Sequence, residues 1–175
     1  MKPFIGIKKL WYGEPLKEAP TAAGLKEMLK SFNEVLNSHE GTWSYTQDDP
    51  SVTDYINELT GKPYYRDMTT AGNKTIAFTI GVYAFEDKVA LQGGSLVEEN
   101  GVVVGWSAPT NPELVYKAIV AETKTGNYIV FTNAGVVAKA NAAEKNIGLG
   151  ITAVAMDNEV VTVADEYLFD GEKVK

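Results

Sequence analysis

The stretch KTIAFTIGVY, Lys74 to Tyr83, decides the fold class. Ile76, Phe78, Ile80 and Val82 fall on one side of a period-two pattern, with Thr75, Ala77, Thr79, Gly81 and Tyr83 on the other. Successive side chains of an extended chain point to opposite sides, so the alternation marks a strand with one buried face. The apolar set is expected to meet the core. The second set is small and neutral, which suits neither a second core nor an ordinary charged surface.

Working outward, Ala71-Gly72-Asn73 supplies the turn that introduces this strand. Downstream, Phe85, Val89 and Leu91 with Ala84, Lys88 and Ala90 read as a short helix closed by Gly93-Gly94. GVVVGW, residues 101–106, reads as a strand. Two β-rich runs between residues 113 and 133 flank TKTGN, and Gly126-Asn127 suits the tight turn of a β-hairpin. A second hairpin is expected from Ile151–Met156, a turn at Asp157-Asn158, and Val160–Ala164.

Upstream, Leu25, Met28, Leu29, Phe32, Val35 and Leu36 recur at steps of three and four, the spacing of one helix face. Trp43, Tyr45 and Gln47 alternate as in a strand that Asp48-Asp49-Pro50 ends. SVTDYINELTG reads as a short helix, with Ser51 or Thr53 as its cap and Gly61 as its stop. The sum is a mainly β (α+β) chain: an antiparallel sandwich or barrel with one or two flanking helices, over a single domain spanning residues 1–175.

Composition narrows the function classes. The 175 residues are 45% hydrophobic and carry a net charge of −7, enough apolar content for one substantial core. A reader of nucleic-acid sequence would show a basic stripe, and an acidic chain is ill suited to an anionic membrane surface. No run approaches a membrane span, so no membrane insertion is expected. With no cysteine, disulfides, thiolate metal sites and Cys nucleophiles are excluded. The N-terminus lacks the apolar stretch of a signal peptide, so synthesis in the cytoplasm is the expectation.

The search for chemistry returns no motif. His39 is the one histidine, in a loop-like NSHEG setting with no Gly-x-Ser-x-Gly elbow and no second metal-binding His. Asp48, Asp49 and Asp54 lack the spacing of a calcium loop. TGK at residues 60–62 lacks the upstream Gly and following hydroxyl of a phosphate loop, and GLG at 148–150 precedes a strand rather than a helix. Neither a catalytic residue nor a cofactor or metal is therefore expected. Tyr64, Tyr65 and Arg66 after Pro63 form a candidate contact patch, since adjacent aromatics beside an arginine suit an interface. ELVYKAIVAE is apolar on both faces and needs cover on both, for which a neighbouring subunit is one source.

The order of these features resembles that of phage major tail proteins, the subunits of tail tubes. GIKKLWYGEPL is similar to the family's opening segment, where a Gly-aliphatic-Lys stretch leads to an aromatic pair, here Trp11-Tyr12. TQDDP resembles its acidic loop after an early strand, and KTIAFTIGVYAFEDKVALQGG its long strand and short helix ending in Gly. LVYKAIVAETKTGNYIVFTNAGVVAK resembles the hairpin that follows, and ITAVAM the late strand. The helical period at residues 25–36 departs from that order.

The resemblance implies a tail-tube-like fold, shared with contractile-tail and type VI secretion tubes. It implies a homo-oligomer of stacked, six-membered rings in a virion tail, contacting other tail proteins and passing DNA through its lumen without catalysis. Thr75, Ala77, Thr79 and Gly81 would line the lumen or an inter-subunit face. Tyr64, Tyr65, Arg66, Trp11 and Tyr12 would serve interfaces, and the N-terminal arm, residues 48–67 and DGEKVK would serve ring stacking. A small β-sandwich binding module and a cell-encoded secretion tube are the alternatives.

Overall fold

Runs of β-branched and aromatic residues pair along most of the chain, and helix is confined to two short segments. A computed structural model describes residues 1–175, the side chain of Ala143 excepted. In chain order the elements are β1 (Lys9–Gly13), α1 (Leu25–Leu29), β2 (Asn33–Glu34), β3 (Ser44–Gln47), β4 (Ser51–Asn57), β5 (Lys62–Thr70) and β6 (Lys74–Ile80). There follow α2 (Phe85–Gln92), β7 (Ser95–Glu99), β8 (Val102–Ser107), β9 (Val115–Glu122), β10 (Tyr128–Ala143), β11 (Asn146–Ala155) and β12 (Glu166–Phe169). The architecture is mainly β with antiparallel sheets, as expected, and no sheet closes into a barrel among the described residues.

The main sheet runs β2-β1-β9-β10-β11-β6-β3, and β10 is its hub. Tyr128–Phe131 of β10 pairs with β9 on one side and β12 on the other. The register then shifts between Phe131 and Ala134, and from there β11 takes the place of β12. A bulge adds bend and twist to its strand, so this shift lets one strand serve both halves of the sheet.

Alternation along the central strands feeds two cores. Leu10 and Tyr12 of β1, Ile119 and Ala121 of β9, and Ile129 and Phe131 of β10 join Ile76, Phe78 and Ile80 of β6, with Leu91 of α2. The intervening Trp11, Val120, Tyr128 and Val130 point the other way, onto Leu25 and Leu29 of α1 and onto Val174. From Ala118 to Glu122 both faces of β9 are thus covered by the chain itself, while Leu114 and Tyr116 at its start remain exposed.

Several expected elements take another form. The expected helix over residues 25–36 stops at Leu29, and Asn33–Glu34 pairs with β1 as β2. The Phe32 ring fills the space beside Gly13, where an added Cβ would lie 2.7 Å from it. The short helix expected at Ser51–Gly61 is strand β4 and its turn, paired with β5. The second hairpin joins β10 to β11 through Glu144-Lys145, whose φ values of 46° and 70° meet the needs of a tight hairpin turn. Residues 160–164 are turns rather than a strand. Ile76, Phe78 and Ile80 are buried as expected, but Val82 lies beyond the strand end and is 78% exposed.

Candidate assembly surface

The site begins where β3 and β6 part. Gln47 pairs with Lys74, and the Asp48 amide donates to the Asn73 carbonyl at 2.8 Å. Gly72, at φ +80°, allows the approach, because a Cβ there would lie 2.1 Å from the Asp48 carbonyl oxygen. Beyond this base β4 and β5 pair only with each other and leave the main sheet as an arm.

Cross-strand pairs hold the arm in register. Tyr55 faces Tyr65 with ring centroids 5.6 Å apart. Asp54 faces Arg66, whose guanidinium donates to both carboxylate oxygens at 2.5 and 2.8 Å. That hydrogen bonding holds the Asp54 carboxyl below the usual carboxylate range and raises Arg66. Val52 faces Met68, so both faces of the ribbon carry apolar groups. At the tip the Asn57 side chain accepts from the Leu59 amide at 2.9 Å, and its carbonyl accepts from Gly61 at 2.8 Å.

No residue of β4 or β5 is buried, and all but Asn57 are exposed. Leu59 is 95% exposed, Tyr64 71% and Tyr65 58%, with Val52, Ile56 and Met68 bare as well. A two-stranded hairpin is marginal by itself in water, and contiguous bare apolar surface marks an interaction site.

Tyr64, Tyr65 and Arg66 are all exposed on β5, but Tyr65 and Arg66, paired with Tyr55 and Asp54, point to opposite faces of the ribbon rather than forming one patch. Trp11 and Tyr12 are not with them, because consecutive strand residues point to opposite faces and here both faces have a core. Trp11 stacks on Tyr128 at 6.5 Å in the core beneath α1. Tyr12 donates its hydroxyl to Asp87 at 2.5 Å, and burial with that carboxylate pushes its pKa well up.

The second face of the opening stretch divides in two. In-register pairing sets Ala77 between Ser44 and Thr152, with Val137 beyond, and Thr75 between Thr46 and Val154. These small and β-branched residues form an open, largely neutral sheet face. Thr79 does not share it: only 3% exposed, its hydroxyl accepts from the Asn141 amide at 2.8 Å. Gly81 donates its N–H to Asn37 Oδ1 at 2.8 Å, and its carbonyl accepts from Asn146 at 2.9 Å, so it too is engaged within the chain. Buried Thr79 does not fit the lumen or neighbour-facing role expected of it, whereas Gly81 is partly exposed.

Of the three segments expected to serve stacking, two are tied down. The Asn127 amide and the Thr125 hydroxyl hold the carbonyls of Lys2 and Pro3. In DGEKVK, the Gly171 amide bonds Asn127 and Val174 is buried beneath α1. The arm alone stands free of the body.

The base of the arm is fixed by charge. Lys74 reaches Asp165 at 2.9 Å and Glu166 at 3.2 Å, and Tyr45 donates to Glu166 at 2.7 Å. Burial pulls the Lys74 pKa down, but its two carboxylate partners outweigh that and raise it. Burial and Glu166 likewise raise Tyr45.

His39 lies 4.0 Å from the Glu144 carboxylate, and its carbonyl accepts from the Thr42 hydroxyl. Among the described residues no cluster of three His, Asp or Glu could hold a metal, and no helix is long and apolar enough to cross a membrane. No protein-family model matches the chain, and no curated protein matches it either.

Proposed function

We propose that this chain is a self-assembling structural subunit whose copies join through the β4–β5 arm, and that the assembly is the tube of a phage or prophage tail. The observation that carries self-assembly is the arm: a pre-formed ribbon, apolar on both faces, with none of its residues buried in its own subunit. A ribbon of this composition gains by losing water against a partner.

The tube itself rests on the ordered resemblance to major tail proteins. The open neutral face around Thr75, Ala77 and Thr152 supports it, since a wall without a dense basic patch would let a phosphate backbone pass without retaining it. On this reading the subunit is not an enzyme, needs no cofactor, and works in the virion tail beside other tail proteins. A cell-encoded secretion tube would use the same surfaces.

A second reading, a small binding module, is favoured by the same exposed Tyr64 and Tyr65, which would then meet a different protein. Negative-stain microscopy with light scattering, across protein and salt concentrations and with pre-formed seeds, separates the two. Rings or hollow fibres are expected. A strict monomer under all these conditions overturns the proposal.

A further inference from the structure

We infer that the cleft beside the bulge of β10 binds a small organic cation, an ammonium group carried on an apolar body. No residue of the arm lines this cleft, so the inference stands apart from self-assembly. The cleft opens between residues 14–17 and 156–160 and holds about 570 Å³. That lies within the roughly 300–1,000 Å³ of small-molecule sites.

The register shift in β10 sets its floor. Phe131 faces Ile119 and Ala134 faces Lys117, so Thr132 and Asn133 together stand opposite Ala118. Such a bulge re-aims side chains and recurs beside functional sites. Thr132 spends its hydroxyl on the Ala164 carbonyl at 2.7 Å. Asn133 lines the cleft and is 8% exposed. Its Nδ2 donates to the Asp157 carbonyl at 2.8 Å. A carbonyl only accepts, so the orientation of the amide is fixed and Oδ1 is the atom left over. It has no hydrogen-bond partner among the described residues. Most buried polar atoms are paired, so an acceptor without a donor calls for an explanation. Asn158, the other amide in the cleft, is engaged at both atoms: Nδ2 donates to the Leu16 carbonyl at 2.7 Å, and Oδ1 accepts from the Val160 amide at 3.0 Å. Ser38 Oγ and Gln92 Oε1 also lack partners, but both residues are more exposed than Asn133.

The surroundings of Oδ1 select its ligand. An amide oxygen accepts, so the ligand must donate. Asp157 and Glu159 stand at the rim with no ion-pair partner among the described residues, whereas Glu14 is committed to Lys117. Lys17 is the one cation of the lining, which leaves two carboxylates against one ammonium. Leu16, Met156 and Val160 supply apolar wall, and Tyr116, 46% exposed, adds an aromatic ring of the kind that attracts cations. A cation with an N–H donor and an apolar body meets all of these groups. An anion would face the rim carboxylates and leave Oδ1 without a donor.

Phenethylamine is the probe, with phenethyl alcohol and phenylpropanoate as its neutral and anionic counterparts. Each is titrated into the full chain and followed by ligand-observed saturation-transfer NMR. The amine should bind, and the carboxylate should bind at least about tenfold more weakly. Acetyl-lysine amide presents the same ammonium as a protein side chain would. It should also fall about tenfold short of the amine for want of the ring, and equal binding overturns the assignment to a small molecule. Asp157→Asn with Glu159→Gln should weaken the amine but not the alcohol. Asn133→Leu, checked for folding by circular dichroism, should weaken both donors. Val160→Trp should block the cleft to all three. Residues 157, 159 and 160 belong to neither core, so the test does not depend on Asn133→Leu folding. A carboxylate that binds as well as the amine overturns the inference. So does an amine that fails to bind at millimolar concentration, or one that binds Val160→Trp as it binds the wild type.

Discussion

Removing the arm should leave the body folded and abolish assembly. The base shows where to cut: the Asp48 amide already bonds the Asn73 carbonyl across the β3–β6 pair. Deleting residues 49–72 and joining Asp48 to Asn73 through Asn-Gly places a two-residue turn where the hairpin would otherwise close. No arm residue lies in either core, so the deletion removes no core burial. The connection shortens roughly twelvefold, and three-halves RT times the logarithm of that ratio is about 2 kcal/mol of loop-closure entropy. Because the arm is itself ordered by Tyr55–Tyr65 and Asp54–Arg66, the gain lies between zero and that bound.

At roughly 2–4 °C per kcal/mol for a chain of this size, the midpoint should stay level or rise by up to about 8 °C. Calorimetry gives the midpoint, and sedimentation gives the mass. A fall in stability of more than about 2 kcal/mol would refute the reasoning, because it would make the arm part of the fold. Unchanged sedimentation of a wild-type-like oligomer would refute it from the other side, since the contact would lie elsewhere.

Two further outcomes follow from the interior. Thr79→Val should strand the Asn141 amide and cost about 1–2 kcal/mol, whereas Thr152→Val, on the open face, should stay within about 0.5 kcal/mol; urea melts of the two compare them directly. Tyr12, Tyr45 and Tyr128 all have pKa values raised above the ordinary 10.0, chiefly by burial. Groups that hold their protons more tightly when folded lend stability that is complete below pH 10 and is lost as the pH climbs beyond it. A pH series of melts should therefore fall at the alkaline end, by at most about 1.4 kcal/mol per pH unit for each group, and Tyr12→Phe should shallow the slope.

The β character was legible because alternation survives where one face is buried, as at Ile76, Phe78 and Ile80. The hairpin around TKTGN was legible because Gly126, at φ +92°, announces its turn. The arm was hidden for a physical reason: Val52, Tyr55, Ile56 and Leu59 stand at helical spacing, yet pairing with β5 overrides a weak local preference. The β10–β11 hairpin was hidden because Glu144-Lys145 lacks the usual turn residues, while Asp157-Asn158 nearby has them. Register over ten residue pairs outweighs that unfavourable turn.

Tyr64-Tyr65-Arg66 drew attention to the segment that proves to be the exposed arm, since adjacent aromatics beside an arginine suit an interface. The burial of Thr79 was not legible: alternation assigns it to the outer face, and only its long-range partner Asn141 reveals that it is engaged within the chain.

The two cores have a consequence for synthesis. β1 emerges from the ribosome early and meets β2 soon after, but its central partner is β9, and the core beneath α1 is complete only once Val174 has followed. The arm, by contrast, pairs only with itself and can form as soon as Thr70 is out. A nascent chain therefore presents this exposed, partly apolar ribbon before its own body has closed. Chains growing side by side on one message would meet arm-first, so the rate of elongation through residues 71–174 sets how long each unfinished subunit is exposed to its neighbours.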